Sequence, residues 1–243
     1  MSMFAAPFPS RRFASIHLPR FTGEDGGSPP PPSGGGGAAR IRGVTEGASR
    51  RAAFTREAPD VRRQALVAAA ETVLAREGVG GTSVRAICAE AGVSPGLLRH
   101  YFAGVDDLIA AAYEAVGQRI DAALDAALET AGPLPRDRLL AYLAASFAPP
   151  VLDERLLAAW IGFWSLVKTK PRMAEIHAAS YADFRARLET LLAEAGATDT
   201  RAAAIALTAT VDGLWLELCL DPRTFGPEAA RAILERTIRS WLA

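Results

Sequence analysis

The sequence predicts an all-α fold, with an N-terminal three-helix domain containing a helix-turn-helix joined to a larger C-terminal helical domain. Three observations carry this. From about residue 58 onward, apolar residues recur at spacings of three and four almost throughout. Glycine and proline break that pattern at intervals of helix length. No stretch shows the strict alternation of a half-buried strand. The divisions fall at 1–57, 58–104 and 105–243.

The first of these reads as a disordered tail. SPPPPSGGGGAAR (28–40) and scattered arginines cannot bury enough apolar surface to offset the entropy of ordering. It is a solvated tail, translated upstream sequence, or an arm that touches DNA phosphates. Arg11 and Arg12 are followed by prolines rather than an apolar run, so no secretory signal is expected. No run of eighteen apolar residues occurs, so no membrane span is expected. Lys and Arg number 27, as do Asp and Glu, so any pull toward nucleic acid must come from local patches. Cys88 and Cys219 each lie within a helical apolar pattern, which fits buried thiols in a reducing cytoplasm.

The elements follow in order. Pro59 and Asp60 suit a helix start. Leu66, Ala69, Ala70, Val73 and Leu74 form its apolar stripe, and Gly78 stops it. Thr82 or Ser83 caps a second helix with Val84, Ile87, Cys88 and Ala91 on one face, ended by Gly92. Val93 plugs the angle. Ser94 caps, and Pro95 opens, a third helix over about 95–102. Leu98 and Phe102 share its inner face. Gly96 and His100 centre the outer face, flanked by Leu97, Arg99 and Tyr101. Such a face fits a major groove: Gly96 allows close approach, Arg99 brings charge, His100 and Tyr101 bring donors, and Leu97 can meet a thymine methyl. Arg62, Arg63 and Arg85 are candidate phosphate contacts, or simply solvated. Six more helices are expected, at about 105–130, 136–147, 152–168, 171–195, 199–220 and 227–242.

TSVRAICAEAGVSPGLLRHYFAGVDDLIAA (82–111) closely resembles the DNA-binding domain of the TetR family of bacterial regulators. The resemblance covers about 60–112. It implies that the third helix reads DNA and that the fourth, 105 to about 128, is the lever to a ligand domain. Two residues depart from the pattern. Arg99 stands where many members have an aromatic, and Val105 where many have a lysine, which removes one expected phosphate contact. AAWIGFWSLVKTKPRMAEIHAASYADFRARL (158–188) and TVDGLWLELCL (210–220) are similar to the ligand-binding half of the BetI-like subgroup, which represses choline-to-betaine genes. That resemblance implies a homodimer through the last two helices. Leu207, Val211, Leu214, Leu218, Ile233, Ile238 and Trp241 are the apolar residues nominated for the seam.

Trp160, Phe163, Trp164, Tyr181 and Trp215 open two readings. They could cage a quaternary ammonium by cation–π attraction, with Asp212 or Glu217 as counter-charge. At helical spacing they could equally be plain core or interface. No cofactor or metal is expected. There is no Cys-x-x-Cys, no paired histidine at metal spacing and no phosphate loop, and His17, His100 and His177 are the only histidines. The expected function is a ligand-responsive DNA-binding regulator, a repressor that docks as a homodimer on a pseudo-palindromic double-stranded operator, and not an enzyme. The alternative is a helical small-molecule-binding or interaction protein with weak or no sequence-specific DNA binding.

Overall fold

The computed structural model describes residues 59–242, so the expectation of a disordered tail over 1–57 lies outside the described residues. Among the described residues the chain forms α1 (Pro59–Gly81), α2 (Val84–Glu90), α3 (Pro95–Tyr101), α4 (Val105–Thr130), α5 (Pro135–Ala144), α6 (Glu154–Val167), α7 (Pro171–Glu194), α8 (Thr200–Leu220) and α9 (Pro227–Arg239). A 3₁₀ turn, Ala145–Phe147, follows α5, and one isolated bridge pairs Ala197 with Leu242.

Most boundaries follow local chemistry. Regular helix in α1 ends at Gly78, whose φ of +65° a side chain would resist. Ser83 caps α2 by accepting from the Ala86 N–H. Thr82 is not the cap; its hydroxyl donates to the Gly78 carbonyl at 2.7 Å. Ser94 caps α3 from an extended conformation, accepting from the Leu97 N–H with Pro95 in the first turn. Three expected helices are shorter than predicted by more than one residue, the last ending at Arg239 rather than at 242. The segment 136–147 ends in the 3₁₀ turn, whose Ser146 carbonyl accepts a tertiary hydrogen bond from Trp215 Nε1 at 2.9 Å. The segment expected from 152 begins at Glu154, because Asp153 caps it by accepting from the Leu156 N–H.

Packing decides where the working parts lie. One hydrophobic core runs from Leu66 in α1 to Ile238 in α9, so the expected division at 104/105 is not a break in packing. α1 lies along α6 in the most extensive helix pairing of the fold, more than it lies on α4. A Cβ at Gly162 of α6 would stand 2.9 Å from Leu74 Cγ, so glycine is what lets these two helices come so close. α1 is therefore held by α6 as well as by α4, the helix expected to be the lever. By length and composition α8 could cross a membrane. Its inner face, including Ala203, Leu207, Val211, Leu214 and Leu218, is instead core packed on α7 and α6.

Candidate functional site

The first candidate site is the outer face of α3. Leu98 and Phe102 are buried, which fixes the opposite face outward. Pro95, Gly96, Arg99 and His100 are exposed, as are Ser83, Arg85 and Ser94 nearby; Leu97, Tyr101, Thr82 and Arg62 are half-buried. His100 and Tyr101 meet edge to face at 5.0 Å. Arg63 stacks over the Phe102 ring at 5.1 Å, which ties α1 to the end of α3. Among the described residues, Arg85 and Arg99 form no ion pair, so both charges stay available to a polyanion. The Ala103 N–H donates to Asp107 and so joins the end of α3 to the first turn of α4.

The second candidate site is a cavity of about 50 Å³ between α4, α6, α7 and α8. Trp160, Tyr181, Asp212 and Trp215 line it, with Asp121, Phe184 and the Ser146 turn. Trp160 is its hub: Trp215 stands edge-on at 5.7 Å and Tyr113 at 5.1 Å. Its indole N–H is buried without a hydrogen-bond partner among the described residues. The Tyr181 hydroxyl donates to Asp212 Oδ1 at 3.0 Å. Arg185 lies 5.5 Å from the Tyr181 ring centroid and His177 4.1 Å, so the contribution of Tyr181 is chiefly to hold the carboxylate. Burial pushes Asp212 up to about 6 against the opposing effects of the Tyr181 hydrogen bond and of Arg185. Burial, and to a lesser degree Arg185, lowers His177, whose Nδ1 lies 3.1 Å from the Tyr113 hydroxyl.

Sequence reasoning grouped Phe163 and Trp164 with this set, and the structure separates them. Phe163 is fully buried and stacks on Tyr113 at 4.7 Å, while Trp164 packs behind Trp160. Glu217 is exposed on α8. Gly117, Asp121, Ser146 and Phe184 were missed. Phe184 is one turn beyond Tyr181, and Gly117 and Asp121 are four apart on α4, but nothing local aims α4 at α8.

The nominated dimer residues also need correcting. Leu207, Val211, Leu214, Leu218 and Ile238 are buried within the chain itself, and Trp241 packs half-buried against that same core, so their contacts are chiefly internal. Ile233 alone of the set is exposed. The open apolar stripe of α8 is Ile205, 50% exposed, then Ala209, Gly213, Leu216 and Leu220, the last 70% exposed. The helix period of 3.6 turns one set inward and the other outward. Cys88 is buried and Cys219 half-buried, both as free thiols.

A capped helix-turn-helix on a helical body that encloses an aromatic, acid-containing cavity defines a class: a DNA-binding regulator that answers to a small ligand. Comparison with known proteins agrees. Residues 66–112 match the family model of bacterial regulatory proteins of the tetR family, and 135–243 match that of the BetI-type transcriptional repressor C-terminal part. The HTH-type transcriptional regulator BetI of Vibrio vulnificus (strain YJ016) is 31% identical over 186 residues, 72% of this chain and 90% of that protein. A transcriptional regulator from Pseudomonas aeruginosa PAO1 is 41% identical with a TM-score of 0.71, over 78% of this chain and 94% of that one. A regulator from Saccharomonospora viridis, solved in complex with choline, shares the fold at TM-score 0.67 and 19% identity, over 74% and 96% of the two chains. The chain belongs to the TetR family, with a BetI-type C-terminal part. It is a ligand-responsive transcriptional regulator that binds DNA, not an enzyme.

Proposed function

We propose that the protein is a cytoplasmic homodimeric repressor whose α3 helices read the two halves of a pseudo-palindromic operator, and that a small quaternary-ammonium cation of the choline class releases it. The observation that carries the effector class is the convergence of Trp160, Trp215 and Phe184 with the Asp212 and Asp121 carboxylates on one cavity. Indole faces attract an alkylated ammonium by about 0.5–2 kcal/mol per contact, more when water is excluded, and a carboxylate supplies the counter-charge. The choline complex of the S. viridis regulator supports the same class.

The dimer reading rests on α8. Its exposed stripe leaves apolar surface that a soluble monomer does not normally leave open. Gly213 lies in that stripe with nothing within 4 Å of where its Cβ would be. A glycine inside a helix destabilises it by about 1 kcal/mol relative to alanine, and a partner helix crossing closely at this point gives it a use.

Effector response follows from the size of the cavity. At about 50 Å³ it is far below the roughly 300–1,000 Å³ of ligand pockets, so an occupant must spread α6 from α7 and α8. α6 carries Trp160 on the cavity and Gly162 on Leu74 of α1, so the spread reaches the DNA-reading unit. The effector acts only to the extent that it prefers the spread state. Titrating choline into the protein, followed by calorimetry and tryptophan fluorescence, with operator release followed by anisotropy, tests the proposal. The expected result is saturable binding that weakens DNA affinity by at least tenfold. No heat and no quenching up to tens of millimolar overturns the effector class.

A further inference from the structure

Outside the cavity, α4 and α7 flank a cleft of about 450 Å³ lined by Glu114, Gly117, Asp121, Glu175, Ser180 and Asp183, among others, with Arg172 as its cationic side chain. Gly117, Asp121 and Ser180 line the inner cavity as well, so cleft and cavity meet across these three residues. We infer that this cleft is the mouth through which a small organic monocation reaches the aromatic cavity, with Gly117 as its doorway. The inference rests on the proposed cationic effector and adds the route and its gatekeeping residues.

Three observations carry it besides the shared lining. The first is charge balance. Four carboxylates face one guanidinium, and Arg172 is already engaged by Glu114 at 2.6 Å and Glu175 at 3.6 Å. Asp121 and Asp183 form no ion pair among the described residues, and burial together with Asp125 and Asp183 raises the Asp121 carboxyl. Among those residues no three acidic or His/Cys side chains converge as metal ligands. The cleft therefore attracts a cation without being built to hold a metal ion, which is how a charged mouth accelerates entry. The second is Gly117 itself. It lies inside the 26-residue helix α4, and a Cβ there would meet nothing within 4 Å. Alanine would fit and would favour the helix by about 1 kcal/mol, so the glycine is not required by packing. It keeps the junction between cleft and cavity open. The third lies at the inner end, where the Asp212 carboxylate lines the cavity, held by the Tyr181 hydroxyl at 3.0 Å, and supplies the counter-charge for an arriving cation.

The test is kinetic. Choline association is followed by stopped-flow tryptophan fluorescence between about 0.01 M and 1 M salt, where the screening length falls from about 30 Å to about 3 Å. Asp183→Asn with Glu175→Gln, both in the cleft and outside the cavity, should slow association about fivefold at low salt and flatten its salt dependence, with dissociation unchanged. Gly117→Leu should slow association and dissociation together, with the fold intact by circular dichroism. Choline binding with wild-type association rates in both variants overturns the mouth. A second arm does not need the effector to be choline. In a Trp164→Phe, Trp241→Phe background, only Trp160 and Trp215 of the four tryptophans remain. Quenching by caesium ion should fall in the double carboxamide variant while quenching by neutral acrylamide stays constant, and both should fall in Gly117→Leu. If wild-type protein ignores choline but shows this pattern, the effector class fails and the mouth stands. Equal quenching in all variants overturns the mouth.

Discussion

The helix-turn-helix and the cavity use polar chemistry in opposite ways. On α3 the buried residues are apolar, and Arg99 and His100 stand in solvent with nothing to desolvate. In the cavity the Asp212 carboxylate is drawn into an aromatic wall and needs the Tyr181 hydroxyl to stay there. The first site is held by local devices, two caps and one left-handed glycine, all within 83–94. The second exists only when four distant helices converge. The α3 surface is thus ready-made and cheap to alter, while the cavity is coupled to the stability of the whole chain. Substitutions should separate the two.

Trp160→Ala should have the largest effect. The ring is buried and contacts Tyr113, Phe163, Trp164 and Trp215. Removing an aromatic from such a site lowers stability by about 3–5 kcal/mol. Urea unfolding should show that loss, together with loss of effector binding. A loss under about 1 kcal/mol would mean the cavity wall is not the keystone it is taken to be.

Asp212→Asn comes next, and it should move stability and binding in opposite directions. The native carboxyl is raised from 3.8 to about 6, so between those values the folded chain holds a proton that the unfolded chain has lost. Its contribution is therefore full below about pH 4 and is lost as pH rises through 6. Asparagine cannot ionise, so the variant should be more stable than wild type at pH 7.5, on the order of 2 kcal/mol, with a flatter pH profile. Choline affinity should rise in the wild type as pH passes 6 and be weaker in Asp212→Asn, with only the shallower pH dependence that Asp121 leaves. Unfolding curves and calorimetry at pH 5, 6 and 7.5 read both. A variant less stable than wild type at pH 7.5 would contradict the burial argument.

The same contrast explains what could be read from the sequence. Ser94 before Pro95, Gly92 before Val93, and Leu98 four before Phe102 are local signals, and each predicts its own geometry. Trp160, Tyr181, Asp212 and Trp215 were legible as candidates because each residue type suits a cation. Asp121 and Gly117 were not, since their relevance comes only from how α4 crosses α7. Phe163 was misassigned because a three-residue step from Trp160 reads alike for a cavity wall and for core. The α8 residues nominated for a dimer seam lie on its inner face. Leu207, Val211, Leu214 and Leu218 mark an apolar face, but Ile205, Leu216 and Leu220 mark another, and only packing on α7 decides which is inside.

The smallest expected effect falls on α3 and separates its two central residues. Arg99 is exposed, unpaired among the described residues and always charged, so its contribution to DNA binding is electrostatic. Each phosphate neutralised releases counterions, and losing one should reduce the slope of log affinity against log salt by about one unit. Arg99→Ala should therefore weaken binding to specific and random duplexes alike. His100 lies beside it with Tyr101 edge-on, a placement that suits a base edge rather than a phosphate. His100→Ala should leave the salt slope unchanged and narrow the gap between specific and random DNA, by about 1–3 kcal/mol for the base pair it reads. Neither change should alter choline binding in the absence of DNA or move the unfolding midpoint, because neither side chain reaches the core. Fluorescence anisotropy on both duplexes at four or more salt concentrations measures the pair. Identical slopes and identical preferences in both variants and wild type would remove α3 from the groove, and the ready-made surface would have to be sought elsewhere on the three N-terminal helices.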